Sequence, residues 1–353
     1  MKIAIIGAGL YGCYIANKLS TSIKNINIDL YEKNNQILLS AASNNQSRLH
    51  YGFHYPRSNE TIRQTHFGSK IFKEEFNDCI FYPKKNYYAV HKKSIFNFNE
   101  YLKILKDNNI DFENVSKKEI NLFKNPDDIE GIINTGEGVI ILSKLKKKLI
   151  NQLKINNFRI LNNIEIKKID KYGNLRFREK NIKYYYIINT TYTNPNLGLD
   201  DKNNFKVKYE LAGMVLLKNK KLNNVCVTIM DGDFISLYPR NKNLYTLSSV
   251  KFTPIKRFRD FEDFNNFYIH ELSTINLNNH KELIINDAKQ YLINDALHGI
   301  EDNMWIAPKV KITSDLGDTR VSSYKKNNRV ISLMCGKIDA IPLMFEEVLK
   351  EIK

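Results

Sequence analysis

A glycine motif at the start of the chain constrains its fold more than any other feature. Residues 2–6 read Lys-Ile-Ala-Ile-Ile, an apolar run typical of a strand covered on both faces, and residues 7–12 follow as Gly-Ala-Gly-Leu-Tyr-Gly. A helix from about Leu10 to Leu19 and a second strand, Asn27 to Tyr31, complete a βαβ unit that ends at Glu32. A GxGxxG turn between a strand and a helix, followed about twenty residues later by an acid, predicts a dinucleotide-binding site of the Rossmann type.

Each part of this motif has a physical role. Gly7 permits the tight turn, Gly9 lets the backbone approach a pyrophosphate, and Gly12 allows the helix to pack closely on the strand. The free amide groups and the dipole at the helix start attract a diphosphate. Glu32 is placed to accept a hydrogen bond from a ribose 2′-hydroxyl, which disfavours the 2′-phosphate of NADP. A glycine turn with a purely structural role is the alternative.

Composition excludes several classes of protein. The 353 residues and 42% hydrophobic content allow a large core, and the length indicates about two domains. The four cysteines, Cys13, Cys79, Cys226 and Cys335, are far apart, which argues against a zinc site or a disulfide framework. No apolar run approaches the roughly 20 residues that span a bilayer. The strand at Lys2 leaves no room for a signal peptide before it, so we expect a soluble, cytoplasmic protein. From the cysteine spacing, we also expect no metal.

The net charge of +16, from 54 basic and 38 acidic residues, is compatible with nucleic acid or with an anionic ligand. Lysine is spread along the whole chain, and only residues 144–148 form a dense run. That run lies on a predicted helix, where a solvated face is the usual explanation. We therefore favour an anionic small molecule over nucleic acid as the partner, and we expect no membrane span.

The order of predicted elements indicates an α/β fold with two domains. After the first βαβ unit, the chain enters a polar stretch instead of the evenly spaced strands and helices of a nicotinamide-dependent dehydrogenase. Nucleotide-domain elements return near residues 138–189 and 330–352, whereas residues 206–253 alternate as in an antiparallel sheet. We predict a discontinuous Rossmann-like domain, and a second α+β substrate domain built mostly of antiparallel sheet. The Rossmann-like domain takes residues 1–80, 138–205 and 301–353, and the substrate domain takes residues 81–137 and 206–300.

The polar stretch resembles a known family. Residues 43–58 read Ser-Asn-Asn-Gln-Ser-Arg-Leu-His-Tyr-Gly-Phe-His-Tyr-Pro-Arg-Ser. This stretch is similar to that of the D-amino-acid-oxidase-like (glutathione-reductase-2 type) FAD-dependent oxidoreductases. It is nearest to the L-2-hydroxyglutarate oxidase branch, which carries Asn-Ser-Gly-x-x-His-x-Gly-x-Tyr-Tyr-Pro here. The matching positions are Asn45, His50, Gly52, Tyr55 and Pro56.

The resemblance implies FAD as the cofactor, with Ser43, Asn44 and Asn45 near its phosphates. Arg48 and His50 would then face the flavin and the substrate. Removing a hydride beside an OH or NH₂ group needs a base with a pKa near the working pH, which histidine supplies. Arginine offers a fork for a substrate carboxylate. We predict His50, Arg48 and His54 as catalytic residues; the alternative for the two histidines is a packed, hydrogen-bonded structural role.

Two later segments extend the resemblance. Residues 187–192, Ile-Ile-Asn-Thr-Thr-Tyr, resemble the family's second nucleotide-domain strand, with Tyr192 where glycine is usual, and residues 165–170 resemble the strand that holds the adenine. Residues 334–340, Met-Cys-Gly-Lys-Ile-Asp-Ala, resemble the strand–glycine–helix that covers the pyrimidine end of the flavin. Lys337 would stabilise negative charge there, or is a solvated surface lysine. The predicted cofactor-binding residues are Gly7, Gly9, Leu10, Tyr11, Gly12, Glu32, Ser43, Asn44, Asn45, Thr190, Thr191, Gly336, Lys337 and Ile338.

Substrate residues are expected in the sheet domain above the flavin, within residues 209–253. Residues 231–233, Asp-Gly-Asp, are typical of a hairpin turn there. Tyr238 and Arg240 could reach a carboxylate or phosphate, and Arg320 lies where related oxidases often place a carboxylate-binding arginine. These three are the predicted substrate-binding residues. The edge of the pocket is more basic than in the hydroxyglutarate branch, so that substrate is not secured.

The leading hypothesis is an FAD-dependent oxidoreductase that oxidises CH–OH or CH–NH₂ in a small anionic substrate, a 2-hydroxy acid or an amino acid. Hydride would pass to flavin N5, and oxygen or another acceptor would reoxidise the flavin. A second hypothesis keeps the flavin but takes a sugar nucleotide or glycan precursor as substrate. A third, from another class, is a flavin-containing or RNA-associated binding protein without turnover, whose RNA binding would be salt-sensitive.

Overall fold

The computed structural model describes residues 1–39, 41, 43–155, 158–241, 243–313 and 319–353. The helices are α1 (Leu10–Ser22), α2 (Asn59–Phe76), α3 (Phe98–Asp107), α4 (Leu142–Ile155), α5 (Phe261–Asn266), α6 (Leu277–Ala288) and α7 (Ile341–Ile352). Single 3₁₀ turns cover Asn77–Cys79, Lys117–Glu119, Pro126–Asp128, Leu272–Thr274 and Asn294–Leu297, and a π-helical turn, Phe267–Glu271, continues α5.

The strands form two large and two small sheets. The first eleven are β1 (Lys2–Ile6), β2 (Asn27–Tyr31), β3 (Arg48–Leu49), β4 (Ile80–Phe81), β5 (Lys85–His91), β6 (Glu113–Val115), β7 (Ile129–Asn134), β8 (Gly138–Ile140), β9 (Arg159–Leu161), β10 (Lys168–Ile169) and β11 (Asn174–Phe177). The others are β12 (Lys180–Lys183), β13 (Tyr186–Asn189), β14 (Val207–Lys218), β15 (Val225–Met230), β16 (Ile235–Pro239), β17 (Leu244–Ser249), β18 (Pro254–Phe258), β19 (Ile300–Ile312), β20 (Ser323–Asn327) and β21 (Val330–Met334).

The first large sheet is the predicted nucleotide-binding sheet. Its strand order is β20-β21-β13-β1-β2-β9, and all neighbours are parallel except the β20–β21 pair. The chain leaves β1 for β2 on one side, while β13 pairs on the other side. Such a switch point opens a crevice at the carboxyl ends of the strands, where α/β proteins bind ligands.

The burial of β1 explains why it reads as a continuous apolar run. Ile3 and Ile5 lie in a core formed with α1, α4 and α7. Ala4 and Ile6 point to the other face, which is covered by residues of the small β10-β11-β12 sheet. Because successive side chains of a strand alternate between faces, a strand covered on both sides needs apolar residues at every position.

The second large sheet is mostly antiparallel, as predicted. It runs β18-β14-β17-β16-β15-β5-β7-β6, with β19 paired to β14 and one parallel pair, β5 with β15. Tyr87 of β5 faces a core that includes α6, and the next residue, Tyr88, faces a core that includes α3. Helices therefore cover parts of both faces, and the fold is α/β with an α+β second unit.

One part of the predicted division is corrected by the strand pairing. Residues 301–353 were assigned to the nucleotide-binding domain, but β19 pairs along β14, from Val207 opposite Ile312 to Leu217 opposite Ile300. The second large sheet therefore keeps the chain up to Ile312. The predicted adenine-side strand, residues 165–170, is also shorter than expected and contains only Lys168–Ile169. Within the described ranges, no helix is both long and apolar enough to cross a membrane.

Candidate active site

A cavity of about 1400 Å³ runs along the carboxyl ends of β1, β2 and β13 and is also lined by the second large sheet. It brings together most of the residues singled out in the sequence. Predicted cofactor residues on its wall are Gly7, Gly9, Leu10, Tyr11, Glu32, Asn44, Asn45, Thr190, Thr191, Gly336, Lys337 and Ile338. Predicted catalytic and substrate residues on its wall are Arg48, His50, His54 and Arg320. Gly12, Ser43, Tyr238 and Arg240 do not line it.

The three glycines of the first turn have local geometries that fit the roles predicted for them. Gly7 has φ +100°, a left-handed conformation that glycine adopts without strain. A Cβ on Gly12 would lie 1.9 Å from the carbonyl oxygen of Gly7, so helix and loop meet closely there. A Cβ on Gly9 would have no heavy atom of the described residues within 4 Å, because this backbone faces the cavity. Thr190 holds the loop from β13, its hydroxyl donating to the carbonyl of Gly7 at 2.7 Å.

Glu32 lies against this loop at the cavity wall. One carboxylate oxygen accepts a hydrogen bond from the backbone amide of Ala8 at 2.9 Å. The other accepts hydrogen bonds from the backbone and side-chain nitrogens of Asn34, at 3.0 and 2.6 Å. Residues 164–166 line the cavity on the same side. Tyr192, which stands where the family usually has glycine, has φ +63° and accepts the amide of Val310 at its hydroxyl, at 3.2 Å. Tyr192 thus keeps a backbone conformation typical of glycine, and its side chain forms a hydrogen bond from the loop after β13 in the first large sheet to β19 in the second.

The segment that carries Asn44 and Asn45 is held from behind by Arg240. Its guanidinium donates to the carbonyl oxygens of Asn45 and Ser43, at 2.7 and 3.1 Å, and to the hydroxyl of Ser47. Burial lowers the pKa of Arg240 to about 10. Arg240 therefore positions this segment and does not lie on the cavity wall, where the sequence analysis expected it.

Arg48 is 5% exposed and reaches the cavity from β3. It donates to the hydroxyls of Thr228, at 3.0 Å, and Ser236. Its guanidinium stacks on the ring of Tyr238, 4.1 Å from the centroid, and Tyr238 is completely buried beneath it. Burial alone would lower the pKa of Arg48, but Tyr88, Tyr238 and Glu137 outweigh it and raise the pKa. Tyr238 thus supports Arg48 and is not exposed to a ligand.

His50 and Lys337 meet at the same end of the cavity. The ammonium nitrogen of Lys337 lies 3.1 Å from Nε2 of His50 and also contacts the hydroxyl of Tyr55. The rings of His50 and His54 have centroids 5.3 Å apart. Burial, followed by the positive charges of Lys337 and Arg48, lowers the pKa of both histidines well below its ordinary value. Both imidazoles are therefore neutral near pH 7, and Lys337 lines the same cavity as they do.

The loop that carries Lys337 approaches the glycine motif directly. The hydroxyl of Tyr11 donates to the carbonyl of Lys337 and shares a hydrogen bond of 3.0 Å with the hydroxyl of Ser322. Gly336 passes so near the chain at Arg320 that a Cβ would lie 2.2 Å from that carbonyl oxygen. The two ends of the sequence thus form one wall.

Several residues of this site were missed in the sequence. Lys309 of β19 lines the cavity, and its charge, like that of Arg320, lowers the pKa of His54. Glu137 and Tyr88 lie behind His50, and Tyr55 lies beside it. Tyr55 was noted only as a motif match. No local pattern marks the other three, because tertiary contacts with residues distant in sequence bring each of them to the site.

The fold places a cavity, lined by the glycine motif, at the switch point of the parallel sheet, where dinucleotide-binding proteins hold their ligand. The comparison with protein families agrees: the family model described as FAD dependent oxidoreductase (DAO) matches residues 2–291. The chain belongs to this family, which confirms FAD as the cofactor. The L-2-hydroxyglutarate oxidase branch is not confirmed.

Similar proteins cover nearly the whole chain. An FAD-dependent monooxygenase of Fusarium mangiferae, FPY4, is 26% identical over 362 residues, with 99% of this chain and 91% of the relative covered. L-α-glycerophosphate oxidase from Mycoplasma pneumoniae, solved with FAD bound, has a TM-score of 0.74 at 18% identity, with coverage of 99% of this chain and 94% of that one. Glycine oxidase from Geobacillus kaustophilus has a TM-score of 0.71 at 13% identity, with coverage of 99% and 94%. At such identities these two structures show a shared fold.

Proposed function

We propose that this protein uses FAD to oxidise a CH–OH or CH–NH₂ group of a small anionic substrate. The observation that carries the proposal is the meeting of His50 with Lys337 in the cavity that the glycine motif also lines. Bound FAD supplies the hydride acceptor, N5 of its isoalloxazine ring. The open backbone face of Gly9 and the cavity-lining Asn44 and Asn45 fit its pyrophosphate.

His50 is the proposed base. Its imidazole is neutral because burial and nearby cations lower its pKa, so Nε2 can accept a proton. A substrate hydroxyl or amine that takes the place of Lys337 at Nε2 would transfer its proton there. The nearby ammonium of Lys337 would then stabilise a negatively charged substrate beside the base.

Arg320 and Lys309 are the proposed anchors for the anionic group. Both line the cavity. Besides the effect of burial, the positive charges of both lower the pKa of His54 and the pKa of Glu210. A guanidinium offers two parallel donors to a carboxylate or phosphate, and a second cation adds affinity without geometric restriction. Glycerophosphate and glycine, named for the two similar oxidases, are both small molecules that carry an anionic group.

The decisive experiment is anaerobic mixing of the FAD-loaded protein with a panel of 2-hydroxy acids, glycerol phosphates, amino acids and nucleotide sugars. We expect one of the first three classes to bleach the flavin, and Arg320→Gln to raise the substrate concentration needed by about tenfold or more. Bleaching by nucleotide sugars alone would favour the second hypothesis instead. If no class bleaches the flavin, the proposed oxidation is refuted. Admitting oxygen afterwards distinguishes an oxidase, which forms peroxide, from a monooxygenase, which incorporates oxygen into the product.

A further inference from the structure

We propose that Glu137 is a positioning residue for His50: its carboxylate faces Nδ1–H of the imidazole and stabilises the imidazolium that forms when Nε2 accepts the substrate proton. The inference rests on the proposed role of His50 as the base. In this step the substrate O–H or N–H bond breaks, the Nε2–H bond forms, and the electron pair of the broken bond stays on the heteroatom. Glu137 itself neither gains nor loses a proton.

The imidazole of His50 lies between a carboxylate and an ammonium group. Oε1 of Glu137 is 3.8 Å from Nδ1, and Nζ of Lys337 is 3.1 Å from Nε2. An ammonium can only donate, so Nε2 is the acceptor, and the ring proton of the neutral form is on Nδ1. Within the described part of the chain, no atom lies at hydrogen-bond distance from this buried Nδ1. Glu137 is the carboxylate within ion-pair distance of it.

The carboxylate of Glu137 is held in place from two sides. Oε1 accepts the backbone amide of Tyr51 at 2.9 Å, and Oε2 accepts the hydroxyl of Tyr88 at 2.6 Å. Glu137 is only 1% exposed. Burial raises its pKa, while the bonds from Tyr88 and Tyr51 and the charges of Arg48 and Lys337 oppose that rise. A carboxylate this deeply buried costs stability unless its charge is compensated, which points to a functional reason for its presence.

Charged or titratable groups from several elements surround His50. Its own segment contributes Arg48, His54 and Tyr55, β5 contributes Tyr88, the loop before β8 contributes Glu137, and the loop before α7 contributes Lys337 and Asp339. The groups closest to the ring on the cavity side are cationic or neutral, and they oppose an imidazolium. Burial raises the pKa of Asp339 to about 7, so its carboxyl carries less negative charge than a free aspartate near neutral pH. Glu137 therefore provides the opposing charge at Nδ1, in the way that an acid orients the base of a catalytic triad.

The test is Glu137→Gln in the FAD-loaded protein, with Glu179→Gln, the same change at an exposed turn, as the matched control. Because an opposite charge within about 4–6 Å raises a histidine pKa by roughly 1–3 units, its removal should lower the pKa of His50 by about one unit or more. The protonation midpoint is measured by NMR of labelled histidines without substrate, with the His50 signal assigned from its loss in His50→Gln. Glu179→Gln should leave the midpoint in place. An unchanged midpoint in Glu137→Gln overturns the inference.

The pH dependence of kcat/KM gives a second readout. Activity is lost as the pH falls through the pKa of the base, so Glu137→Gln should move this acidic limb to lower pH and also reduce the plateau about tenfold or more, because the base is weaker. A reduced plateau with an unmoved limb would indicate a merely structural role and contradict the inference.

If Glu137→Gln does not fold, Glu137→Asp carries the test. The shorter side chain holds its carboxylate farther from Nδ1, so the pKa of His50 should fall, by less than complete removal of the charge would cause. A midpoint that stays or rises would refute the coupling. Should the wild-type protein oxidise none of the substrates, the proposed function fails, but the NMR midpoints still decide whether Glu137 acts on His50.

Discussion

Two single-methyl substitutions in the glycine motif should separate cofactor binding from folding. Gly9 has φ −75° and ψ −168°, a conformation open to any residue, and an added Cβ faces the cavity. An added Cβ on Gly12 would instead lie 1.9 Å from the carbonyl oxygen of Gly7 and 2.8 Å from the hydroxyl of Thr190. Gly9→Ala should therefore weaken FAD binding, and Gly12→Ala should lower the stability of the fold.

The expected magnitudes differ in kind. For Gly9→Ala, the free energy of unfolding of the FAD-free protein should change by less than about 1 kcal/mol, because alanine is a poorer helix N-cap than glycine by about 1 kcal/mol but offsets much of this by restricting the unfolded chain. Its methyl group would occupy the surface that the pyrophosphate approaches. Losing two phosphate hydrogen bonds at about 1.5 kcal/mol each corresponds to about a hundredfold weaker FAD binding. For Gly12→Ala, a clash with backbone should cost about 3 kcal/mol of stability, the upper end for overpacking.

Both quantities can be measured on the same preparations. Quenching of flavin fluorescence during titration gives the Kd for FAD, and urea denaturation of the FAD-free protein gives the free energy of unfolding. FAD binding by Gly9→Ala with the wild-type Kd would mean that the pyrophosphate does not lie over Gly9. Wild-type stability of Gly12→Ala would refute the close packing between helix and loop.

Three further substitutions test other parts of the site. His50→Ala should keep the flavin colour but lower kcat by about 10²–10⁴-fold, as expected for loss of a general base, and unchanged turnover would remove His50 from the mechanism. Arg240→Ala leaves the carbonyls of Ser43 and Asn45 without this donor, so urea denaturation should show a loss of about 2 kcal/mol or more, with weaker FAD binding; wild-type values of both would refute its positioning role. Burial raises the pKa of Asp339 from 3.8 to about 7, so the contribution of this carboxyl to stability is greatest below pH 4 and falls as the pH rises from 4 to 7. The free energy of unfolding of Asp339→Asn should equal that of the wild type near pH 4 and exceed it at pH 8 by up to about 4 kcal/mol. Equal melting curves of the two proteins at pH 8 would contradict this.

The elements that could be predicted from sequence are those specified by local patterns. The strands β1, β2 and β21 begin and end where the apolar runs indicate, and α2 begins just after Ser58, whose hydroxyl accepts the amide of Thr61 at 3.2 Å. The glycine motif predicts its own geometry because turn, helix start and strand are contiguous. The histidine segment could be placed for the same reason, as a continuous stretch with a family likeness.

Residues whose roles depend on distant contacts could not be found in this way. Glu137 is 86 residues from Tyr51, and Arg240 is 195 residues from Asn45. An alternating strand such as β19 carries no mark of the sheet it will join, so its place beside β14 follows only from tertiary packing. Tyr238 shows the same limit: the sequence predicts that it contacts a substrate, whereas it is buried and its ring stacks on the guanidinium of Arg48.

The distance along the chain between Lys337 and His50, 287 residues, has a consequence for biosynthesis. At about 5–20 residues per second, the ribosome makes the lysine on the order of 15–60 s after the histidine. The edge of β1 stays unpaired until β13 has been made, and the edge of β13 then stays unpaired until β21 has been made. Unpaired strand edges are therefore exposed on the nascent chain during this interval. Chaperones that shield such edges should therefore raise this protein's yield in the cell.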